Sequence, residues 1–145
     1  MDPLRLIGVW RFDRRIADGQ GRRDYTVEGE AVFTRAEGGG IRWSETGMLH
    51  GEGVSTPIRR TLLLEPGRPG EAAWRVLFED GRFFHSWQPG AVEHLCGLDT
   101  YLGEVAPPLG EAADASWSVR WLVTGPQKDY AMTTRYRSAT ARVVS

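Results

Sequence analysis

Two histidines, His85 and His94, and the only cysteine, Cys96, lie close together in the middle of the chain. The dipeptides Asp80-Gly81 and Pro89-Gly90, before and between the histidines, are typical of two-residue hairpin turns. If both are turns, His85 lies directly opposite His94, and Cys96 shares their face of the sheet. The other residues that this register places on that face are apolar: Trp74, Val76, Phe78, Phe83, Trp87 and Val92. Polar side chains on such a face predict a binding site.

Three roles fit His85, His94 and Cys96: metal binding, binding of an organic ligand, and a structural role. Opposed side chains have Cβ atoms about 5 Å apart, so both imidazoles could reach one metal ion, one anion or one substrate. A His-His-Cys metal set would also need nearby carboxylates, for which Glu45 and Asp99 are candidates. Alternatively, the histidines bind an organic ligand, or they only make structural hydrogen bonds while Cys96 packs as a small apolar residue. We assign no metal, and the cofactor stays unknown.

Asp99 and Tyr101 depend on the geometry of Gly97. Along a regular strand both would point away from His94, but a bulge at Gly97 would turn both inward. Asp99 could then hold a histidine in one tautomer, and Tyr101 could assist acid–base chemistry. Without the bulge, Asp99 caps a loop or pairs with Arg82.

Glu45 shares the alternation of Trp43 and Gly47, which predicts a carboxylate buried among apolar side chains. Such a carboxylate either pairs with a base, such as Arg60 or a histidine, or has a raised pKa.

Lys128 and Tyr130 follow the turn that begins at Gly125. Lys128 either forms a surface pair with Asp129 or lies at a barrel mouth, where it would face an anionic ligand group. Tyr130 is expected inside, where its hydroxyl needs a partner.

Six tryptophans fall on candidate strands, and most of them are expected to fill a core. Flat aromatic walls also suit a planar or apolar guest, and Trp43, Trp87 and Trp121 are the candidate walls.

Short aromatic and β-branched segments separated by Gly and Pro predict an all-β fold. Glycines inside strands, such as Gly29 and Gly47, indicate the coiling, bulges or close approach that closing a sheet requires. We expect one domain over residues 1–145, an antiparallel closed barrel of about 8–10 strands rather than a sandwich. The candidate strands are 5–17, 24–36, 40–50, 56–65, 72–79, 82–88, 91–101, 116–124 and 129–138.

Composition excludes several classes of function. The net charge is −1 with mixed signs, which argues against a nucleic-acid surface. The densest basic group, which includes Arg14, also holds aspartates and is interpreted as a solvated edge. One cysteine excludes an intrachain disulfide. Because no apolar run approaches the ~20 residues of a membrane span or resembles a signal peptide, we expect no membrane partner and a cytoplasmic location.

Gly8-Val9-Trp10 on the first strand resembles the Gly-x-Trp signature of lipocalins and the wider calycin barrels. In that pattern the tryptophan plugs the closed end, and an arginine from the last strand packs across it. The resemblance implies this role for Arg135, Arg137 or Arg142.

The whole chain resembles an uncharacterised family of small bacterial and plant proteins, a domain of unknown function with a calycin- or lipocalin-like barrel. The resemblance implies a fold but no activity. The segments that carry it are Gly8–Trp10, Gly29–Phe33, Ser44–Gly47, Phe78–His85, His94–Tyr101 and Trp121–Tyr130.

We therefore predict a barrel that binds a small, mostly apolar molecule in an interior pocket containing His85 and His94. The first alternative is an enzyme that uses these histidines with Asp99 and Tyr101, as an acid–base or a metal- or haem-linked site. The second is a packed barrel that acts through protein contacts or self-association into a homo-oligomer. The residues predicted to bind the ligand are His85, His94, Cys96, Asp99, Tyr101, Glu45, Trp43, Trp87, Trp121, Tyr130 and Lys128.

Overall fold

The computed structural model describes residues 2–18, 23–71, 73–109 and 115–139, and these form an all-β structure. Short 3-10 turns cover Pro3–Leu6 and Glu37–Gly39. No helix in the described ranges is long and apolar enough to cross a membrane. The ten strands are β1 (Gly8–Asp18), β2 (Asp24–Arg35), β3 (Ile41–Gly51), β4 (Val54–Glu65), β5 (Trp74–Phe78), β6 (Phe83–Trp87), β7 (Gly90–Cys96), β8 (Asp99–Leu109), β9 (Ser116–Thr124) and β10 (Asp129–Ser138).

All ten strands belong to one antiparallel sheet in the order β6-β5-β4-β3-β2-β1-β10-β9-β8-β7. The first and last strands pair with each other in the middle of this order, so that the sheet coils into a nearly closed barrel. The predicted all-β antiparallel barrel is therefore confirmed. One predicted strand, 91–101, is divided into β7 and β8, because Gly97 adopts a positive φ of 62° and turns the chain back.

The register of the last hairpin agrees with the alternation in the sequence. Val123 pairs with Tyr130 and Trp117 pairs with Tyr136, as expected if the apolar residues of both strands face inward. The rings of Trp117 and Tyr136 stack with centroids 3.9 Å apart at 8°. Trp10 meets the edge of Trp117 at 6.1 Å. Aromatic rings thus pack one end of the barrel.

The structure does not place a last-strand arginine across Trp10. Arg135 and Arg137 are exposed on β10, because they alternate with the inward-facing Thr134 and Tyr136. Arg142 lies outside the described residues. The indole nitrogen of Trp10 donates instead to the carbonyl oxygen of Leu6 at 2.8 Å.

Gly29 on β2 pairs with Gly47 on β3, and both are sites of close backbone approach. A Cβ atom at Gly29 would lie 2.0 Å from the carbonyl oxygen of Thr46, and one at Gly47 would lie 2.4 Å from that of Glu28. The coiling predicted from these glycines therefore rests on backbone contacts that any side chain would disrupt.

We expect Gly29→Ala to destabilise the protein by about 3 kcal/mol, because the clash is with backbone that cannot move without breaking the β2–β3 ladder. Urea denaturation followed by tryptophan fluorescence measures this change. Thr26→Ala, at an exposed position of the same strand, is the control and should cost less than about 1 kcal/mol. Equal stabilities for the two variants would contradict the close approach.

Candidate functional site

A bulge in β6 decides which side chains enter the barrel. Val76 pairs with His85 and Leu77 pairs with Phe83, so Phe84 is an extra residue between them. Phe84 and His85 are consequently both buried, while Phe83 is 44% exposed. The predicted pairs of Val76 with His85 and of Trp74 with Trp87 are confirmed. The inward placement of Phe83 was wrong, because the alternation shifts by one residue at the bulge.

The predicted pairing of β6 with β7 is also wrong. These strands form the two edges of the sheet, and within the described chain no backbone ladder joins them. His94 lies opposite Tyr101 of β8 rather than opposite His85. Both histidine rings nevertheless meet Phe84 edge-on, at 4.7 Å for His85 and 5.1 Å for His94. The two imidazoles therefore converge through an aromatic ring and not through a strand pair.

A stack of three aromatic rings spans the gap in the barrel wall between the unpaired edges of β6 and β7. Phe84 stacks on Phe78 of β5 at 4.6 Å and on Trp121 of β9 at 5.1 Å, each at an interplanar angle of 14°. Side-chain contacts thus close the barrel where backbone hydrogen bonds do not.

His85 is a buried, neutral base in this cluster. Only 4% of the residue is exposed, and its Nδ1 donates to the carbonyl oxygen of Ser86 at 2.8 Å. Burial, above all, lowers the pKa of His85 from 6.5 to about 4, and the neighbouring His94 and Arg60 act in the same direction. With Nδ1 as the donor, Nε2 is the acceptor of the neutral ring. His94 is only half-buried.

Glu45 is the centre of the polar interior. Its Oε1 accepts from Arg14 at 2.7 Å and from Arg60 at 3.1 Å. Its Oε2 accepts from Trp43 Nε1 at 3.0 Å and from the hydroxyl of Tyr136 at 2.5 Å. The predicted burial of this carboxylate and its pairing with Arg60 are confirmed.

The charges around Glu45 keep it ionised. Burial by itself would raise the pKa of the carboxyl group, but Arg60 and Arg14, with hydrogen bonds from Tyr136 and Arg14, outweigh it and hold the pKa below its usual value. Burial and the adjacent carboxylate raise the pKa of Tyr136, so its hydroxyl stays protonated.

Arg14 is the principal site residue that the sequence interpretation missed. Only 5% of it is exposed, and its Nε also donates to Thr134 at 2.7 Å. The solvated-edge interpretation of this arginine was wrong. The signal was present in the sequence, because Arg14 occupies the same alternation as Trp10, Phe12 and Ile16.

A small space beside Arg60 and His85 holds two hydrogen-bond donors without partners. Its volume is about 10 Å³, and Arg60, His85 and Trp87 are among its lining residues. Arg60 Nε and Trp87 Nε1 are buried, and neither has a hydrogen-bond partner. A volume of this order admits one water-sized atom.

A separate polar cluster lies at the open end of the barrel. Lys128 pairs with Asp99 at 3.1 Å and donates to the hydroxyl of Tyr101 at 3.3 Å. These hydrogen bonds, first with Asp99 and then with Tyr101, raise the pKa of Lys128. Tyr130, whose pKa is raised by burial and by the neighbouring Tyr101, completes the group. Lys128 and Tyr130 also line a groove of about 680 Å³.

This cluster changes the sequence interpretation of Asp99. Gly97 and Leu98 form a turn instead of a bulge, so Asp99 begins β8 opposite Cys96. Asp99 is bound to Lys128, and the predicted pairing with a histidine or with Arg82 is wrong. Arg82 instead pairs with Asp80 at 2.7 Å.

Cys96 does not join the histidines. It is exposed, because β7 ends there and the turn begins beyond the barrel interior. In the described part of the chain, no group of three or more His, Cys, Asp and Glu side chains converges to hold a metal ion. The predicted residues thus separate into an interior set (Trp43, Glu45, His85, Trp87 and Trp121), a set at the open end (Asp99, Tyr101, Lys128 and Tyr130), His94 between them, and an isolated Cys96.

Comparison with known proteins gives a family and a fold. A family model described as "Family of unknown function (DUF6314)" matches residues 6–138. No curated protein matches the chain. Among solved structures, the S-type phycobiliprotein lyase CPES from Guillardia theta is similar, with a TM-score of 0.68 and 12% identity over 98% of this chain and 90% of that one.

We expect Glu45→Gln to destabilise the protein by about 3–5 kcal/mol, because the buried Arg14 and the half-buried Arg60 would lose their only counter-charge among the groups that contact them here. Since the pKa of Glu45 is lowered, its contribution is present above about pH 4.3 and is lost as the pH falls through its folded value. Urea denaturation at pH 7 and below measures both effects. Glu79→Gln removes an exposed pair with Arg42 and should cost less than about 1 kcal/mol. A tolerated Glu45→Gln would contradict the central role of this carboxylate.

His85 should give the stability a second pH dependence. Its pKa is lower in the folded protein than in the unfolded chain, so the unfolded chain binds more protons between about pH 4 and 6.5. Stability should therefore fall by roughly 3 kcal/mol as the pH drops through this window. His85→Asn keeps a donor near Nδ1 and should flatten the profile, whereas His50→Asn on the partly exposed face of β3 should not. An unchanged slope in His85→Asn would show that His85 is not the titrating group.

Proposed function

We propose that this chain, which belongs to the family of unknown function DUF6314, is a binding protein for a small, planar and mostly apolar molecule. The guest would lie in the interior beside His85. The observation that carries the proposal is the pair of buried, unpartnered donors, Arg60 Nε and Trp87 Nε1, at an aromatic gap in the barrel wall. Native proteins rarely bury donors without a partner. These two belong to residues that line one space, so an acceptor placed there would satisfy them, whereas a third such donor, Trp117 Nε1, belongs to a residue that does not line it.

The wall of the barrel leaves a route to this place. Residues Val54–Thr61 of β4 have ladder partners only on β3, because the β5 ladder covers just Leu62–Glu65. The gap continues along the unpaired edges of β6 and β7. His94 is half-buried at this gap, in edge contact with Phe84 and Tyr101. A guest could enter here without breaking a backbone ladder.

Phe84 occupies the place that a planar guest would take. Its ring lies parallel to and between Phe78 and Trp121, and it stands on the bulged residue of a five-residue edge strand. Displacing one side chain on such a strand opens room between two flat rings while the rest of the core stays packed. The remaining space of about 10 Å³ is then the inner end of the site.

The fold comparison supports a conjugated guest. The Guillardia theta protein that shares the fold is named a phycobiliprotein lyase, and a barrel that serves a chromophore protein is compatible with flat aromatic walls. At 12% identity the shared property is the fold, so the guest of this chain has to be identified by experiment.

We test the proposal with N-phenyl-1-naphthylamine, a neutral apolar probe whose fluorescence rises in an apolar site. The expected result is saturable binding of one probe per chain. Phe84→Ala should tighten binding about tenfold, because the probe no longer has to displace the ring, although the variant costs roughly 3 kcal/mol of stability. Phe84→Trp should weaken binding.

Two controls locate the site. Phe83→Ala changes the exposed neighbour on the same strand and should leave the affinity unchanged. Lys128→Gln changes the groove at the open end and should also have no effect. No binding to the parent protein or to Phe84→Ala would refute the interior site, and sensitivity to Lys128 alone would place the guest in the groove.

A second candidate function is contact with another protein, and two observations favour it. The space beside His85 is only about 10 Å³. Four leucines, Leu95, Leu98, Leu102 and Leu122, are exposed on strands β7 to β9 and in the turn between β7 and β8. Leu98 at the turn is 83% exposed, and Leu102 pairs with Leu122 across the outer face. If the probe does not bind and sedimentation shows a dimer that Leu98→Asp dissociates, this second candidate replaces the first.

A further inference from the structure

We infer that the guest of this barrel is an organic acid, whose carboxylate accepts hydrogen bonds from Arg60 and Trp87 in the interior. The inference rests on the proposed function and adds the chemical class of the ligand. It stands on three independent features of the interior, which are its charge balance, its unpartnered donors and the size of the space between them.

The interior carries more positive than negative charge. Arg14 and Arg60 both contact the same oxygen of Glu45, so two guanidinium groups share one carboxylate. The other groups that contact this set are uncharged: the hydroxyls of Tyr136 and Thr134 and the indole N–H of Trp43. One positive charge is therefore unbalanced among the described interior side chains, and Arg60, on the strand beside the gap, is the arginine that a guest can reach.

The unpartnered donors identify where the extra negative charge would bind. Trp87 is 1% exposed, and its Nε1 makes no hydrogen bond. Arg60 uses one terminal nitrogen on Glu45 and leaves Nε unpartnered. Both side chains line the same space. A carboxylate is an acceptor of charge −1, and it would satisfy both donors and balance the second guanidinium.

The dimensions fit one end of such an acid. The space of about 10 Å³ holds one oxygen-sized atom, and the Arg60 side chain is 32% exposed, so the site is open on one side. One carboxylate oxygen would fill the space, and the rest of the guest would extend past Phe84 toward the gap. A guest without an acceptor at this end would leave both donors unsatisfied, and a neutral acceptor would form weaker hydrogen bonds and leave the charge of Arg60 unbalanced.

The experiment compares biphenyl-4-carboxylic acid with the neutral biphenyl-4-methanol, which has nearly the same shape. Both compete against N-phenyl-1-naphthylamine on the full chain at pH 7.5. We expect the acid to bind about 30-fold more tightly than the alcohol, the range of a charge-assisted hydrogen bond in a buried site. Equal affinities would overturn the inference and leave the proposed function standing. If neither compound binds and the probe does not bind, the proposed function itself fails.

Two variants test the residues. Trp87→Phe removes the N–H donor together with part of the indole ring, and it should reduce the affinity for the acid about fivefold or more relative to that for the alcohol. Arg60→Gln should reduce the acid to the affinity of the alcohol, whereas Arg59→Gln, at the exposed neighbouring position, should not. Because Arg60 also contacts Glu45, thermal melting is used to check that Arg60→Gln is folded. If Arg60→Gln is unfolded, Trp87→Phe alone tests the inference. A preference for the acid that survives both changes would show that other residues bind it.

Discussion

The burial of one carboxylate organises this barrel. Glu45 cannot stay ionised in an apolar interior without nearby cations and donors, and it has them on three other strands and at Trp43 of its own strand. Arg14 comes from β1, Arg60 from β4 and Tyr136 from β10, so the network joins strands on both sides of β3. Since a half-satisfied network costs more than an apolar core, all of these groups have to be placed together. The aromatic rings that surround the network exclude water and make each of its contacts stronger.

The same network explains why the interior is positively charged. A single guanidinium would balance the charge of Glu45, yet the carboxylate has two, and the second, Arg60, stands on the half of β4 that pairs only with β3. Arg60 helps to keep Glu45 ionised, but it also brings one positive charge more than the carboxylate neutralises. This additional charge lies next to an opening and leaves a buried Nε without a partner. It is understandable as part of a binding site, because functional sites are where a structure departs from the rules that maximise stability.

The sequence predicted the wall of the barrel better than it predicted the site. Alternation identified the inward-facing residues of β9 and β10 and the burial of Glu45, because period-two patterns survive wherever a strand is regular. The burial of Arg14 was predictable from the same alternation. It was missed because Arg14 lies among other charged residues, which indicated an exposed edge. Phe84 was not predictable, because a bulge shifts the parity without a signal in residue type. Strand β7 pairs with β8 rather than with β6. The sequence has two glycine-containing turns here, at Gly90 and at Gly97, and both glycines have a positive φ, so residue type does not distinguish which turn joins two paired strands.

His85 and His94 were predicted to lie close together, and they do, although the strand register behind that prediction was wrong. The sequence analysis brought the two rings together through a hairpin, whereas the structure brings them together on the edges of Phe84. The difference matters for chemistry. Opposed histidines on a ladder have a fixed separation and suit a metal ion, whereas these two share no strand pair and each contacts the edge of the same phenylalanine. A guest that displaces Phe84, as proposed, would therefore take away a neighbour of both imidazoles at once. The two rings would respond differently, because His85 is buried whereas His94 is half-buried.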